Sequence, residues 1–191
     1  MSFFSRILKK RESNTSGTPG AGVSTSAWLE TATEMTGFFA AHAVWCVSEG
    51  ETLIPFAGFE THVQGRSLLR FASERIEEGV AAGKAWLANN SGAAARAVLI
   101  FDGFIPLESG KTDALILAVR DFTQGDAGMT WAIPYRPAGA SSGFAVHRPK
   151  MLPKTELDPS TCEGLGRALW KGIAQHEKGA AVWNVNLDES R

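Results

Sequence analysis

The stretch RAVLIFDGFIPLESGKTDALILAVRDFTQGDAGMTWAIPYRPAGASSGFAVHRP, residues 96–149, decides the fold class. Four runs rich in branched and aromatic residues, 97–105, 113–122, 129–137 and 143–149, are separated by gaps that carry Gly with Ser, Asp or Ala. Strand-length runs of this composition between turn residues predict a four-stranded antiparallel meander. In the first run Val98, Ile100 and Phe104 alternate with Ala97, Leu99, Phe101 and Ile105. Both faces are apolar, so that strand is expected to be central or covered on both sides. With the loop after Phe122 centred near Gly125, Arg120 is expected opposite Trp131 and Phe122 opposite Met129; Tyr135 then falls opposite Phe144 and Ile133 opposite Val146. One face of the meander collects Ile116, Ala118, Phe122, Met129, Trp131, Ile133, Tyr135, Phe144 and Val146 as core. The other presents Asp121, Arg136 and His147 among the smaller Ala132, Pro134 and Ala145.

Around the meander the sequence predicts helices and a hairpin. Trp28, Leu29, Ala32 and Met35 recur at helical spacing behind Ser24 and Ser26, giving a first helix over roughly 27–36 that ends at Gly37. The dense apolar run 38–48 turns at Glu49-Gly50-Glu51-Thr52 into 53–60, a candidate hairpin. The longest helix is expected over 66–87, with Leu69, Ala72, Ile76, Val80 and Leu87 on one face and Arg70 and Glu74 as an exposed i,i+4 pair. Asp158, Pro159 and Ser160 open a last helix whose buried stripe is Cys162, Leu165, Leu169 and Ile173. In 180–187, Val182, Asn184 and Asn186 alternate with Trp183, Val185 and Leu187, so this segment is expected as an edge strand or strap. The fold class is α+β: an antiparallel sheet of about six strands, made of a hairpin, a long helix and a four-stranded meander, with N- and C-terminal helices packed on it.

Residues 1–26 stand apart from the domain expected over 27–191. Phe3, Phe4, Ile7 and Leu8 are interleaved with Arg6, Lys9, Lys10 and Arg11, which on a helix is a cationic amphipathic pattern suited to targeting or peripheral membrane contact. The Ser/Thr/Gly-rich 12–26 reads as a flexible linker. The whole chain of 191 residues carries 19 Lys+Arg against 20 Asp+Glu, a formal net charge of −1, so no global field argues for a nucleic-acid partner. The 2 cysteines, Cys46 and Cys162, are too few for a disulfide framework and point to a reducing cytoplasm.

Candidate chemistry is sparse. His42, Cys46, Cys162 and His176 can be drawn as a zinc set, but their spacing matches no knuckle pattern, and Cys162 falls in an apolar stripe. Ser141, Ser142, His147 and Asp121 can be drawn as a triad, yet loop serines beside glycines are ordinarily turn formers. No catalytic residue, metal site or cofactor is therefore assigned. The most informative polar set is Asp121, Arg136 and His147 with Arg148 and Lys150, expected at one end of the sheet as a patch for an anionic ligand or acidic partner. The expected function is a non-enzymatic, cytoplasmic binding or accessory module working through contacts with another protein, tethered by its N-terminus. The competing class is a small hydrolase or transferase whose catalytic residues come from separate strands.

Overall fold

A computed structural model describes residues 25–63, 65–107, 110–125, 127–152 and 157–189. The N-terminal targeting set, Phe3, Phe4, Arg6, Ile7, Leu8, Lys9, Lys10 and Arg11, lies outside these residues. The elements are α1 (Thr25–Val47), β1 (Phe56–Glu60), β2 (Arg66–Arg70), α2 (Ile76–Asn89), β3 (Arg96–Leu107), β4 (Gly110–Asp121), β5 (Ala127–Arg136), β6 (Ala145–His147), β7 (Lys150–Leu152), α3 (Pro159–Ala174), α4 (Glu177–Asn186) and β8 (Leu187–Asp188). The architecture is α+β with four helices, and the curled sheet has the order β2-β1-β3-β4-β5-β6-β8, with β7 beside β6 on β5. It is mixed, because β8 pairs parallel to β6. The expectation of a purely antiparallel sheet of about six strands is corrected accordingly.

Residues 38–47, expected as a strand, continue the first helix. Gly37 does not end it: a Cβ there would strike the Leu169 carbonyl of α3, and one at Gly172 would strike the Glu34 carbonyl of α1. The two glycines let α1 and α3 cross at backbone contact. Ala40, Ala41, Ala43 and Val44 are all fully buried between the sheet and the other helices. A helix apolar all round shows no amphipathic period, so a short stretch of it cannot be told from a buried strand. The terminator is Gly50, at φ +89°, whose N–H donates to the Val47 carbonyl over 3.1 Å.

The strand 53–60 pairs with the segment expected to begin the long helix. β1 and β2 are antiparallel with Phe56 facing Arg70 and Glu60 facing Arg66, and the helix starts only at Ile76. Arg70 therefore belongs to a strand and makes no i,i+4 pair with Glu74. At the other end of the chain, 177–186 is helical, not extended. His176 caps α4 by accepting from the Gly179 N–H at 3.0 Å, and Trp183 faces the core fully buried.

The meander is present, and its central strand is covered on both faces. Val98 and Ile100 join the core under α1, α3 and α4, whereas Ala97 and Leu99 pack with Leu87 and Trp86 of α2. The register across the β4–β5 loop differs from expectation. Asp121 accepts from the Thr123 N–H at 2.9 Å and starts a 3-10 turn over Phe122–Gln124, so β4 ends at Asp121 and Phe122 is not a strand residue. Arg120 faces Gly128, and Trp131 faces Leu117. An odd shift turns a strand over: Leu115, Leu117 and Val119 enter the core, and Ile116 and Ala118 do not join that face. In the next hairpin Tyr135 faces Val146, not Phe144. That even shift leaves Trp131, Ile133, Tyr135 and Val146 in the core as expected.

Candidate functional site

The residues named as a polar patch are split between opposite ends of the sheet. Asp121 sits on the helix-covered face beside Arg96 (Nε–Oδ2 3.4 Å), and Arg96 also meets Glu60 at 3.1 Å. Arg136 lies nine positions along β5 from Ala127, the partner of Asp121, or roughly 30 Å at the strand rise. It reaches Asp188 of β8 at 3.4 Å and donates to the Gly143 carbonyl at 2.9 Å. Arg148 pairs with Glu189 at 3.0 Å, and Lys150 faces Ala132 on β5. His147 is 1 % exposed; its Nδ1 lies 3.1 Å from the Asp188 carbonyl. A carbonyl only accepts, so Nδ1 carries the proton. Nε2 is buried without a partner among the described residues. Arg136, His147 and Arg148 thus fasten the C-terminal strand to the sheet. Asp121 is too far away to complete a triad with His147 and Ser142.

The edge strand β2 makes a different kind of surface. The Phe71 N–H donates to the Pro55 carbonyl at 2.8 Å, which fixes the alternation of the β1–β2 ladder. Ser67 and Leu69 exchange hydrogen bonds with β1, so the amides and carbonyls of Arg66, Leu68 and Arg70 point away from the sheet. Leu68 and Leu69 are 36 % and 39 % exposed. Side chains at 66, 68 and 70 lie on the α1 side, where Arg66 stacks over Phe38 at 4.6 Å and pairs with Glu60 at 3.1 Å. Arg70 has no ion-pair partner among the described residues.

Between β2 and the end of α1 lie two adjoining depressions of about 300 Å³ each, which share His42, Cys46, Glu51 and Arg70. One continues over Leu53, Ile54 and Phe56, the other over Trp45 and Glu49. No family model matches this chain, and no curated protein or solved structure matches it.

His42 and His176, set apart in the sequence, meet at 3.2 Å through Nδ1 and Nε2. Because His176 Nδ1 accepts from Gly179, its Nε2–H donates to His42 Nδ1, and both rings are held neutral. Burial, then the neighbouring His176, pushes His42 down to about 4, and burial also lowers His176. Burial pushes the Cys46 thiol up. A neutral imidazole beside a protonated thiol is not the thiolate–imidazolium pair that nucleophilic chemistry needs. Among the described residues no group of three or more His, Cys, Asp or Glu is placed to hold a metal ion.

Sequence reasoning missed Leu68 and Arg70 because the spacing of Leu69, Ala72 and Ile76 imitates a helix. The competing signal was present in RSLLRF, where Arg66, Leu68 and Arg70 alternate with Ser67, Leu69 and Phe71.

Proposed function

We propose that the protein is a non-enzymatic binding module that takes an extended segment of another protein onto the free edge of β2. The observation that carries this is that the outward amides and carbonyls of Leu68 and Arg70 have no partner strand among the described residues, beside a groove that includes Leu53, Ile54 and Phe56 and ends at Arg70, a cation with no ion-pair partner among them. Strand addition of this kind draws affinity from main-chain hydrogen bonds and specificity from alternate side chains. The fitting partner strand places an apolar residue opposite Leu68 and an acidic one opposite Arg70, two positions apart. A second copy fits poorly: antiparallel self-pairing centred on Leu68 sets Arg66 against the other copy's Arg70, and like charges directly opposite are destabilising.

The two unpaired thiols support a cytoplasmic placement as part of this reading. No helix among the described residues is long and apolar enough to cross a membrane. The near-neutral charge balance favours a protein partner over nucleic acid. The basic N-terminus would tether the module to its target, by docking or by peripheral membrane contact.

The test is selection of displayed random ten-residue peptides on the folded chain, counted against the variants Leu68→Pro and Arg70→Glu. The Leu68 N–H faces outward, so Leu68→Pro removes a docking donor and spares the β1 ladder. Enriched peptides should share an acidic residue two places from an apolar one and should lose binding to both variants. Peptides that bind the variants as well as wild type would refute the reading, as would a concentration-dependent dimer abolished by Leu68→Pro.

A further inference from the structure

Leu69 lies on the side of β2 that the groove does not use. Ser67, Leu69 and Phe71 alternate with Arg66, Leu68 and Arg70, and they turn to the α2 side, where the Phe71 ring lies beside Gly83 and Trp86. α2 itself packs over β1 and β3. Gly79 and Gly83 bring its backbone down there: a Cβ at Gly79 would strike the Phe71 carbonyl, and one at Gly83 would strike a Leu99 methyl.

Around the axis of α2, Ile76, Val80 and Lys84 turn toward Phe101 of β3. Ala82 and Trp86, one turn apart, occupy the opposite flank, toward β2. The Trp86 ring lies 5.3 Å from Phe59 and 6.2 Å from Phe71. Leu69 adjoins both positions, two residues before Phe71 on β2 and diagonal to Phe59 on β1, yet it is 39 % exposed. Ala82 is exposed and presents only a methyl group. Leu69, Trp86 and Ala82 thus frame an apolar ledge open at the edge of the sheet, and no residue of β2 on this face is charged.

A strand docked on β2 necessarily places one side chain on this ledge. The outward amides of Leu68 and Arg70 set the register, so the docked residue between their two partners stands opposite Leu69 and points to α2. In an antiparallel ladder this is a non-hydrogen-bonded pair, the kind in which facing side chains come closest, with Cα atoms about 4.5 Å apart. A polar residue there would lose hydration against Leu69 and the indole without gaining a partner. A large apolar or aromatic one would cover both.

On the reading that an extended segment docks on β2, we infer that this segment carries a large apolar or aromatic residue between its apolar and its acidic residue, seated on the ledge of Leu69, Trp86 and Ala82.

The test is the ten-residue peptide selection run side by side on wild type and on Ala82→Trp, a change at an exposed helix position. Wild type should enrich Phe, Trp, Tyr, Leu or Ile between the apolar and the acidic residue. Ala82→Trp fills the ledge and should enrich Gly, Ala or Ser there, with the flanking residues unchanged. In a peptide recovered on wild type, replacing the central residue by Ser should weaken binding to wild type about tenfold and should not weaken binding to Ala82→Trp. Leu69→Thr keeps a strand-forming residue on the ladder; it should weaken the parent peptide several-fold and the Ser-substituted peptide little. A central preference unchanged in Ala82→Trp, or a random central position between retained apolar and acidic residues, would overturn the inference and leave docking on β2 standing. Peptides that bind Leu68→Pro as well as wild type would overturn both.

Discussion

The two flanks of the sheet are finished in opposite ways. On the β5 side the outer strands are three residues each in β6 and β7 and two in β8. They are interrupted by a bulge, where four steps from Val146 to Lys150 oppose three from Tyr135 to Ala132, and pinned by Arg136 to Asp188, Arg148 to Glu189 and His147 to the Asp188 carbonyl. Short strands, bulges and charged residues are the devices by which proteins blunt an edge. On the other flank β2 is five unbroken residues with Leu68 and Leu69 partly exposed, and Arg70 has no ion-pair partner among the described residues. The difference teaches that a cluster of charged residues on a strand can be the guard of an edge and not a binding patch, while an unbroken edge strand with exposed leucines between its two arginines is the better place to look for a partner.

The largest effect should come from removing what lies under the guarded flank. Trp183 is fully buried, and Trp183→Ala should cost about 3–5 kcal/mol in denaturant unfolding, against about 0.5 kcal/mol or less for Leu68→Ala. Equal losses would erase the contrast between the flanks. Next in size are two prolines one residue apart. Leu69→Pro deletes a ladder donor to β1 and should destabilise by about 3 kcal/mol, whereas Leu68→Pro should be far milder. A reversal of that order would show that the β2 register is shifted by one and that the other set of amides faces out.

A smaller effect links the flanks through His42 and His176, since His176 caps the helix that leads into β8. His42 in the folded chain titrates at about 4, below its ordinary 6.5. The unfolded chain therefore takes up the proton first. This contribution is fully present above pH 6.5 and is lost as pH falls toward about 4. Unfolding midpoints measured across that window should fall with acid and fall less in His42→Phe. An unchanged slope in the variant would remove the His42–His176 contact as the cause. The smallest effect is at the surface of the guard: Arg136→Ala should leave the midpoint within about 1 kcal/mol while speeding amide exchange at Leu187 and Asp188. Unchanged exchange there would show that β8 is held without Arg136.

These contrasts also show what the sequence could carry. The meander, the doubly covered strand at Val98–Ile100 and the Asp158 cap of α3 were legible, because period-two runs, turn residues and capping chemistry are local. The second half of α1 was not, since in Ala40 to Val47 the half-exposed face is His42, Trp45 and Cys46, residues too apolar to stand out as a helical period. The face of β4 depended on where Asp121 starts a turn, a side-chain hydrogen bond that shifts the register by an odd number. The candidate groove was least legible of all. It joins Arg70 of a strand that resembles a helix start to His42 and Cys46 of a helix that resembles a strand, and the meeting of His42 with His176 spans 134 residues.

The most direct measurement is residue-resolved amide exchange across β2, first in the free chain and then with a peptide recovered from the selection. In the free chain Leu68 and Arg70 should exchange much faster than Ser67 and Leu69, and the peptide should slow both. Protection of all four amides without peptide, or exchange at Leu68 and Arg70 that a bound peptide leaves unchanged, would contradict docking at this edge.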